Sequence, residues 1–175
     1  KILAGGFFST FNGAPHYNLV RLNADASIDP SFNASFQSAG SVRAIALQPD
    51  GKILIAGVFR EVNGVAVGRI ARLNSNGTLD ASFDPGIGAD GNIYAMALDS
   101  SGNIFIGGTF VKVNGVNRSR IAKLGPNGAL DIAFDPGTGP GGQVFALGAL
   151  EPSGNLVVGG LFFAVNGTSA GASRV

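Results

Sequence analysis

The sequence contains no cysteine, no tryptophan and a single histidine. Without cysteine, a disulfide framework, a thiolate metal site and a cysteine nucleophile are all excluded. One histidine, His16, cannot form a metal site built from several histidines, and it leaves a Ser-His-Asp triad with only one possible base. We therefore expect no cofactor, no metal and no catalytic residue in this chain.

Charged residues are also scarce, at 13% of the chain, and they are balanced, with 12 Lys and Arg against 11 Asp and Glu. Such a balance gives no overall field that would attract nucleic acid or an acidic membrane surface. The chain also lacks an apolar run of the roughly 18 residues that a membrane-spanning helix needs. Neither nucleic-acid binding nor a helical membrane span is predicted, whereas the 28 glycines and eight prolines indicate many tight turns.

One segment recurs along the chain at a nearly constant spacing. KILAGGFFSTFNG begins at residue 1, KILIAGVFREVNG at 52, NIFIGGTFVKVNG at 103 and NLVVGGLFFAVNG at 155. The starts lie 51, 51 and 52 residues apart, so the chain holds three full repeats and the first part of a fourth. A fixed period of this length indicates a propeller, a solenoid or an array.

One copy of the repeat, read from residue 41, consists of short apolar segments separated by turn residues. Small and larger side chains alternate in 41–47, an apolar run follows the Pro-Asp-Gly turn, and nothing in the copy has helical periodicity. Strands are predicted at 41–47, 52–59, 69–73 and 78–83. Four antiparallel strands describe a propeller blade, so we predict an all-β fold in which residues 1–175 form a single β-propeller segment of about three and a half blades.

Turn residues and phenylalanines recur at the same spacing. Asn-Gly pairs suit turn positions that need a positive φ angle, and they begin at Asn12, Asn63, Asn114 and Asn166. Two rows of phenylalanines are expected to pack between blades, because large aromatic side chains at blade spacing are what a propeller core needs. The rows are Phe32, Phe83 and Phe134, and Phe8, Phe59, Phe110 and Phe162.

Two stretches of the chain carry a family resemblance. Residues 48–59 read QPDGKILIAGVF and residues 72–83 read RLNSNGTLDASF, and together they resemble the delta-60 repeat β-propeller family. Weaker copies stand at 99–110 with 123–134, and at 21–32. The resemblance implies a repeat module of a large secreted or surface-attached bacterial protein, and hence an extracellular scaffold or adhesive module.

The number of blades departs from that expectation, since propellers typically close with four to eight blades. The sequence starts at Lys1 without an initiator Met or signal peptide and ends inside a repeat. Either the remaining blades lie in residues outside this chain or copies associate, with two chains giving about seven blades. We favour a fragment of a longer protein over the dimer.

Three carboxylates recur at one position of the repeat. Asp29, Asp80 and Asp131 each lie eight residues after a cation, namely Arg21, Arg72 and Lys123. Across a short hairpin such residues come within ion-pair reach. We predict structural ion pairs rather than acid/base catalysis, because glycosidase chemistry needs two carboxylates across one bond and a repeated residue is distributed around a propeller.

Other motifs have both a structural and a chemical interpretation, and we favour the structural one for each. The donors of 74–80 faintly resemble a calcium loop but suit an ordinary turn, and Gly139–Gly142 could suggest a phosphate loop but suits a blade connection. His16 reads as a solvated loop residue. Turn chemistry explains most of the glycosylation sequons, which are Asn33, Asn76, Asn117 and Asn166.

Ligand binding, if present, is expected in the variable loops, which are 14–17, 87–90 and 138–141. A shallow glycan site could be lined by Tyr17, Tyr94, Arg43 and Arg118, but the ligand-binding residues remain unknown. The sequence thus favours a non-catalytic scaffold or interaction module for protein or glycan. The alternatives are a structural subunit completed by blade sharing between chains, and an enzyme whose catalytic residues lie outside this segment.

Overall fold

The computed structural model describes residues 1–36, 40–150 and 155–169. These residues contain only strands and turns, which confirms the all-β prediction, and none of them belongs to a helix that could cross a membrane. They divide into two compact units, an N-terminal unit of Lys1–Ala81 and a C-terminal unit of Ser82–Val175, and each unit is described by itself.

Nine short strands form the N-terminal unit. They are β1 (Ile2–Gly5), β2 (Thr10–Phe11), β3 (Ala14–Pro15), β4 (Leu19–Leu22), β5 (Val42–Leu47), β6 (Ile53–Gly57), β7 (Glu61–Val62), β8 (Val65–Ala66) and β9 (Ile70–Leu73). Antiparallel pairing gives a sheet of order β5-β6-β9 and a second sheet of β1 and β4, with the hairpins β2-β3 and β7-β8 beside them.

The C-terminal unit repeats this pattern. Its strands are β10 (Ile93–Leu98), β11 (Ile104–Gly108), β12 (Lys112–Val113), β13 (Val116–Asn117), β14 (Ile121–Leu124), β15 (Gln143–Leu150), β16 (Asn155–Leu161), β17 (Ala164–Val165) and β18 (Thr168–Ser169). The sheets are β10-β11-β14 and β15-β16, and the hairpins are β12-β13 and β17-β18.

The predicted fourth strand of each full repeat is reduced to one bridge. Where 78–83 was expected to form a strand, only Leu79 pairs, with Leu73 of β9. The Asp80 N–H still donates to the Arg72 carbonyl at 2.9 Å. Beyond Asp80 the ladder stops, and the chain turns at residues 81–82. The repeat that contains β5, β6 and β9 therefore has three paired strands, and the predicted fourth strand contributes only the bridge at Leu79.

The turns follow the sequence signals. In the Gln48–Gly51 turn, the Gly51 N–H donates to the Gln48 carbonyl at 2.9 Å, and Gly51 has a φ of 83°. Between β7 and β8, Asn63 and Gly64 have φ angles of 53° and 77°, which only a turn with two left-handed residues accommodates. The Asn-Gly prediction is thereby confirmed.

Apolar residues of both sheets form one core in the N-terminal unit. The cluster contains Leu19 of β4 together with Ile55, Phe59 and Leu73, and Phe32 packs against it. The two phenylalanines therefore pack where the sheets β1-β4 and β5-β6-β9 meet, as predicted. In the C-terminal unit the corresponding cluster joins Ile121, Val144 and Val158, with the partly buried side chains of Phe134, Leu147, Leu156 and Phe162 against it.

Candidate functional site

The repeated carboxylates form ion pairs, as the eight-residue spacing predicted. Asp29 Oδ2 lies 2.8 Å from Arg21 Nε, and Asp80 Oδ2 lies 2.7 Å from Arg72 Nε. Lys123 Nζ lies 3.4 Å from Asp131 Oδ2. The cation sits on the strand and the carboxylate follows the turn, so the short hairpin brings them together. Each carboxylate is engaged by cations of its own repeat, and Asp29 and Asp80 each contact a second cation, Lys1 and Lys52.

Hydrogen bonds keep two of these carboxylates ionised. The hydroxyl and backbone N–H of Ser31, with the ammonium of Lys1, hold the pKa of Asp29 well below its usual range. The backbone N–H of Ala133 lowers the pKa of Asp131 in the same way, against a smaller opposing effect of burial. A group that stays ionised at neutral pH is a poor general acid, so these positions fit a structural role.

The suspected calcium loop is an ordinary turn. Asn76 Oδ1 accepts hydrogen bonds from the backbone N–H of Thr78 at 3.1 Å and from its hydroxyl at 2.8 Å, and Asn74 Nδ2 donates to the same hydroxyl at 2.9 Å. The donors therefore serve the turn itself. Across the described ranges, no group of three or more His, Asp or Glu side chains could hold a metal ion.

The glycine-rich stretch at Gly139–Gly142 is a connection, as predicted. Pro140 bridges to Val165, and the Gly139 N–H donates to Asn166 Oδ1 at 2.9 Å. His16 follows β3 and is half-buried, with its backbone N–H donating to the Ser9 carbonyl at 3.2 Å. His16 lies outside the strands, as predicted, but it is half-buried rather than fully solvated.

A β-bulge recurs in three strands, β5, β10 and β15, where each pairs with the strand that follows it. The pairing shifts between Val42 and Ala44, between Ile93 and Ala95, and between Val144 and Ala146. A glycine on the neighbouring strand makes each bulge possible. A Cβ atom would lie 2.0 Å from a backbone oxygen at Gly57, 1.9 Å at Gly108 and 2.1 Å at Gly160. The three glycines therefore stand where two backbones approach closely.

The residue at the bulge differs from copy to copy, being Arg43, Tyr94 or Phe145. Bulges re-aim a side chain and are common next to binding sites. Arg43 is exposed, and its Nε donates to Ser41 Oγ at 2.9 Å. The three copies thus share the backbone bulge at this position, but the side chain there differs in each copy.

In the C-terminal unit the two bulge residues contact each other. The rings of Tyr94 and Phe145 stack with centroids 5.5 Å apart and an interplanar angle of 29°. Phe145 is 51% exposed, and Asn92 Nδ2 donates to the Tyr94 hydroxyl at 3.3 Å. We call Tyr94 and Phe145 the aromatic pair. Sequence reasoning missed Phe145, although its 51-residue offset from Tyr94 could have identified it.

The glycan site suggested by the sequence is only partly compatible with the structure. Arg118 is 5% exposed, and its guanidinium donates to the backbone carbonyls of Asn117 at 2.7 Å and Ile132 at 3.0 Å. Arg118 is therefore poorly placed to line a shallow surface site, because its terminal amino groups are used inside the protein. Tyr17 is 39% exposed and belongs to the N-terminal unit.

The variable loop at 87–90 is anchored at one end by a side chain. Asp90 Oδ1 accepts the backbone N–H groups of Val111 at 2.9 Å and Lys112 at 3.0 Å, which anchors the end of the 87–90 loop to β12. Ile87 at its start is 80% exposed. An anchored loop with an exposed apolar tip is suited to recognition.

Comparisons with known proteins address the family. A family model described as "Domain of unknown function (DUF5122) beta-propeller" matches residues 1–32, 48–83 and 99–134, which together cover more than half of the chain. The comparison with curated proteins finds no match.

Proposed function

Because the chain belongs to the DUF5122 β-propeller family, a family of unknown function, we propose that it is a non-catalytic scaffold that binds a protein partner through the aromatic pair of its C-terminal unit. The observation that carries this proposal is the stacking of half-buried Tyr94 on Phe145, whose ring is 51% exposed. The repeated aspartates are engaged in ion pairs within the fold. The residue at the bulge varies from copy to copy although the backbone there is repeated, so we assign recognition to the bulge residues Tyr94 and Phe145.

The residue types favour a protein over a glycan. Tyr and Phe are enriched in the core of protein interfaces, and Tyr is a frequent hot spot. A sugar site needs several polar groups around its aromatic platform. The polar side chain bonded to the pair is Asn92, and its amide is already engaged by the Tyr94 hydroxyl.

The cellular location of this scaffold is part of the proposal. The resemblance of 48–59 and 72–83 to the delta-60 repeat supports a module of a secreted or surface-attached bacterial protein. The absence of cysteine is compatible with that location, because bacterial secreted proteins do not require disulfides. A scaffold of this kind would hold a partner at the cell surface and would be called adhesive if the partner belonged to another cell.

Photo-crosslinking tests the proposal. Benzoylphenylalanine at position 145 should crosslink one major protein from the secreted and surface fractions of the source cells. The same residue at position 163 is the matched control, because Phe163 is 84% exposed in the same unit but does not belong to the aromatic pair. Equal crosslinking from both positions would contradict the proposal. Binding of a purified glycan that depends on Tyr94 and Phe145 would keep the site but exclude the protein partner.

One observation favours a second candidate, a structural subunit completed by strand sharing. Ile2 of β1 is 53% exposed, whereas the residues 51 and 102 positions later, Ile53 and Ile104, are 2% and 0% exposed. Within the described residues, β1 pairs only with β4, but β6 and β11 have strands on both edges. An added strand at β1 would cover Ile2.

Light scattering with circular dichroism over a dilution series tests this second candidate. A β-rich species near twice the 17.6 kDa chain mass, which loses structure on dilution, would support strand sharing between two chains. A β-rich monomer that is unaffected by dilution would exclude it and leave the binding scaffold.

A further inference from the structure

The chain contains six Asn-Gly dipeptides, and they occupy two kinds of turn. Four form the tips of the short hairpins, and two, which begin at Asn76 and Asn127, lie in the turns that follow β9 and β14. An asparagine followed by glycine is especially prone to lose its side-chain amide, because glycine has no Cβ to keep its backbone nitrogen away from the amide carbon. Each dipeptide is therefore a candidate for deamidation, and the fold decides which of them reacts.

The four hairpin tips have nearly the same backbone. Their asparagines have φ angles of 48° to 53°, and the glycines that follow have φ angles of 74° to 77°. A Cβ atom added to any of these four glycines would have nothing within 4 Å. Backbone conformation and crowding at the glycine therefore do not distinguish the four sites.

Three of the hairpin asparagines are held by a segment that connects two copies of the repeat. The Asn63 N–H donates to the Ser35 carbonyl at 2.9 Å, and Asn63 Oδ1 accepts the Ser35 N–H at 2.7 Å. The same two bonds, with lengths of 2.9 to 3.1 Å, join Asn114 to Gly88 and Asn166 to Gly139. We call this pair of hydrogen bonds the asparagine clamp.

The asparagine clamp opposes deamidation. In that reaction the side chain must rotate until its Cγ meets the backbone nitrogen of the next residue, and the clamp fixes the oxygen end of the side chain. The second bond holds the asparagine backbone, so the turn cannot relax towards a five-membered ring. At Asn63 the leaving nitrogen is held as well, because Nδ2 donates to the Gly77 carbonyl at 3.0 Å. These bonds must break before the amide can react.

Asn12 has the same turn without the clamp. Within residues 1–36, 40–150 and 155–169, neither its side-chain amide nor its backbone N–H has a hydrogen-bond partner. Asn12 is exposed, whereas Asn63, Asn114 and Asn166 are half-buried. The amide of Asn12 can therefore turn towards the nitrogen of Gly13, which is exposed as well.

The two remaining asparagines are held by their own turns. Asn76 Oδ1 accepts the N–H and the hydroxyl of Thr78, and the Gly77 N–H donates to the Asn74 carbonyl at 2.9 Å. The turn that begins at Asn127 has the corresponding backbone bonds. In both turns the glycine is buried, so the attacking nitrogen is engaged and shielded from solvent.

We propose that Asn12 is a modification site at which the folded protein deamidates spontaneously. The Gly13 backbone nitrogen loses its proton to the solvent and attacks Asn12 Cγ. The new N–Cγ bond closes a succinimide ring, and the Cγ–Nδ2 bond breaks as Nδ2 takes up protons from water and leaves as ammonia. Water then opens the ring. Cleavage of the N–Cγ bond gives aspartate, and cleavage of the bond to the original backbone carbonyl gives isoaspartate. Water is the co-reactant, and nothing is oxidised or reduced.

The modification changes the tip of the β2-β3 hairpin. It replaces a neutral amide by a carboxylate and takes the formal net charge of the chain from +1 to 0. The isoaspartate product also adds a main-chain atom to the two-residue turn that joins Phe11 to Ala14, so it disturbs their pairing. The clamped asparagines keep their amides, and the contacts they make with the connecting segments are preserved.

Peptide mapping by mass spectrometry, after incubation in a mildly alkaline buffer, tests the proposal. Trypsin releases residues 2–21, 61–69 and 113–118, each with one Asn-Gly dipeptide. Asn12 should lose its amide at least about tenfold faster than Asn63 or Asn114, since the clamp adds two hydrogen bonds that must break. In urea the three rates should converge, because the clamp is lost and the next residue is glycine at all three sites.

A variant of the connecting segment tests the clamp itself. Ser35→Pro removes the N–H that Asn63 Oδ1 accepts and should raise the rate at Asn63 towards that of Asn12, whereas the matched control Ser35→Ala keeps this N–H and should not. Similar rates at Asn12 and Asn63 in the folded protein, or a difference that persists in urea, would overturn the proposal. An unchanged rate at Asn63 in folded Ser35→Pro would also overturn it. If Ser35→Pro fails to fold, the rates of the unchanged protein in buffer and in urea decide.

Discussion

Replacement of Asp80 by Asn should destabilise the N-terminal unit strongly. Asp80 Oδ2 lies 2.7 Å from Arg72 Nε and 2.9 Å from Lys52 Nζ. The side chains of Asp80 and Arg72 are only 9% and 10% exposed, whereas that of Lys52 is 31% exposed. Asparagine has nearly the same shape but carries no charge, so Asp80→Asn leaves the Arg72 guanidinium buried without its carboxylate.

The expected cost follows from the burial. Removing one partner of a buried ion pair costs about 3–5 kcal/mol. Lys52 is partly exposed and can be rehydrated, so we expect a loss near the lower end, about 3 kcal/mol in the free energy of unfolding. Urea unfolding followed by far-UV circular dichroism measures this loss as a lower midpoint.

Two variants make the test of Asp80 selective. Asp131→Asn breaks the corresponding pair of the C-terminal unit, which is longer, at 3.4 Å, and more exposed, at 24% for Lys123 and 32% for Asp131, so its effect should be much smaller. The double variant Arg72→Met with Asp80→Leu removes both charges and should recover most of the stability. Our reasoning would be refuted if Asp80→Asn and Asp131→Asn were equally mild, or if the double variant were as unstable as Asp80→Asn.

Three further predictions concern acid, glycine and the hairpin turns. The pKa of Asp29 is held below its usual range, so its ionised form stabilises the protein above about pH 4. This contribution disappears as the pH falls through the lowered pKa of the folded state. The urea midpoint of the protein should therefore drop on acidification, and that of Asp29→Asn should drop less. Gly108→Ala should cost at least about 3 kcal/mol, since its Cβ would meet a backbone oxygen at 1.9 Å, whereas Gly115→Ala, with open space but a φ of 77°, should cost about 1 kcal/mol by the same assay. Asn63→Ala should cost about 2 kcal/mol more than Asn12→Ala in thermal unfolding, because the Asn63 side chain accepts and donates hydrogen bonds at 2.7 and 3.0 Å; equal costs would contradict this role.

Local features of the fold could be predicted from the sequence because they depend on neighbouring residues. Alternation in 41–47 and the apolar run after it placed β5 and β6, and the eight-residue spacing of Arg72 and Asp80 placed the ion pair. The fourth strand was overestimated. Strand pairing in 78–83 is limited to the bridge of Leu79 with Leu73, and the chain turns at 81–82.

The candidate sites depend on contacts that the sequence does not display. The bulges arise where a glycine removes the Cβ that would meet a neighbouring backbone oxygen, and the register shift is visible only in the paired strands. The stacking of Tyr94 on Phe145 joins strands from different copies of the repeat.

The affinity of the crosslinked partner for alanine variants of the aromatic pair tests the central claim most directly. Once the partner is purified, Phe145→Ala should weaken its binding by about 30-fold or more, as expected for a hot spot, while Phe163→Ala changes it less than about twofold. Circular dichroism should show that both variants remain folded. An unchanged affinity for Phe145→Ala, or the same loss for both variants, would contradict the claim that the aromatic pair forms the binding surface.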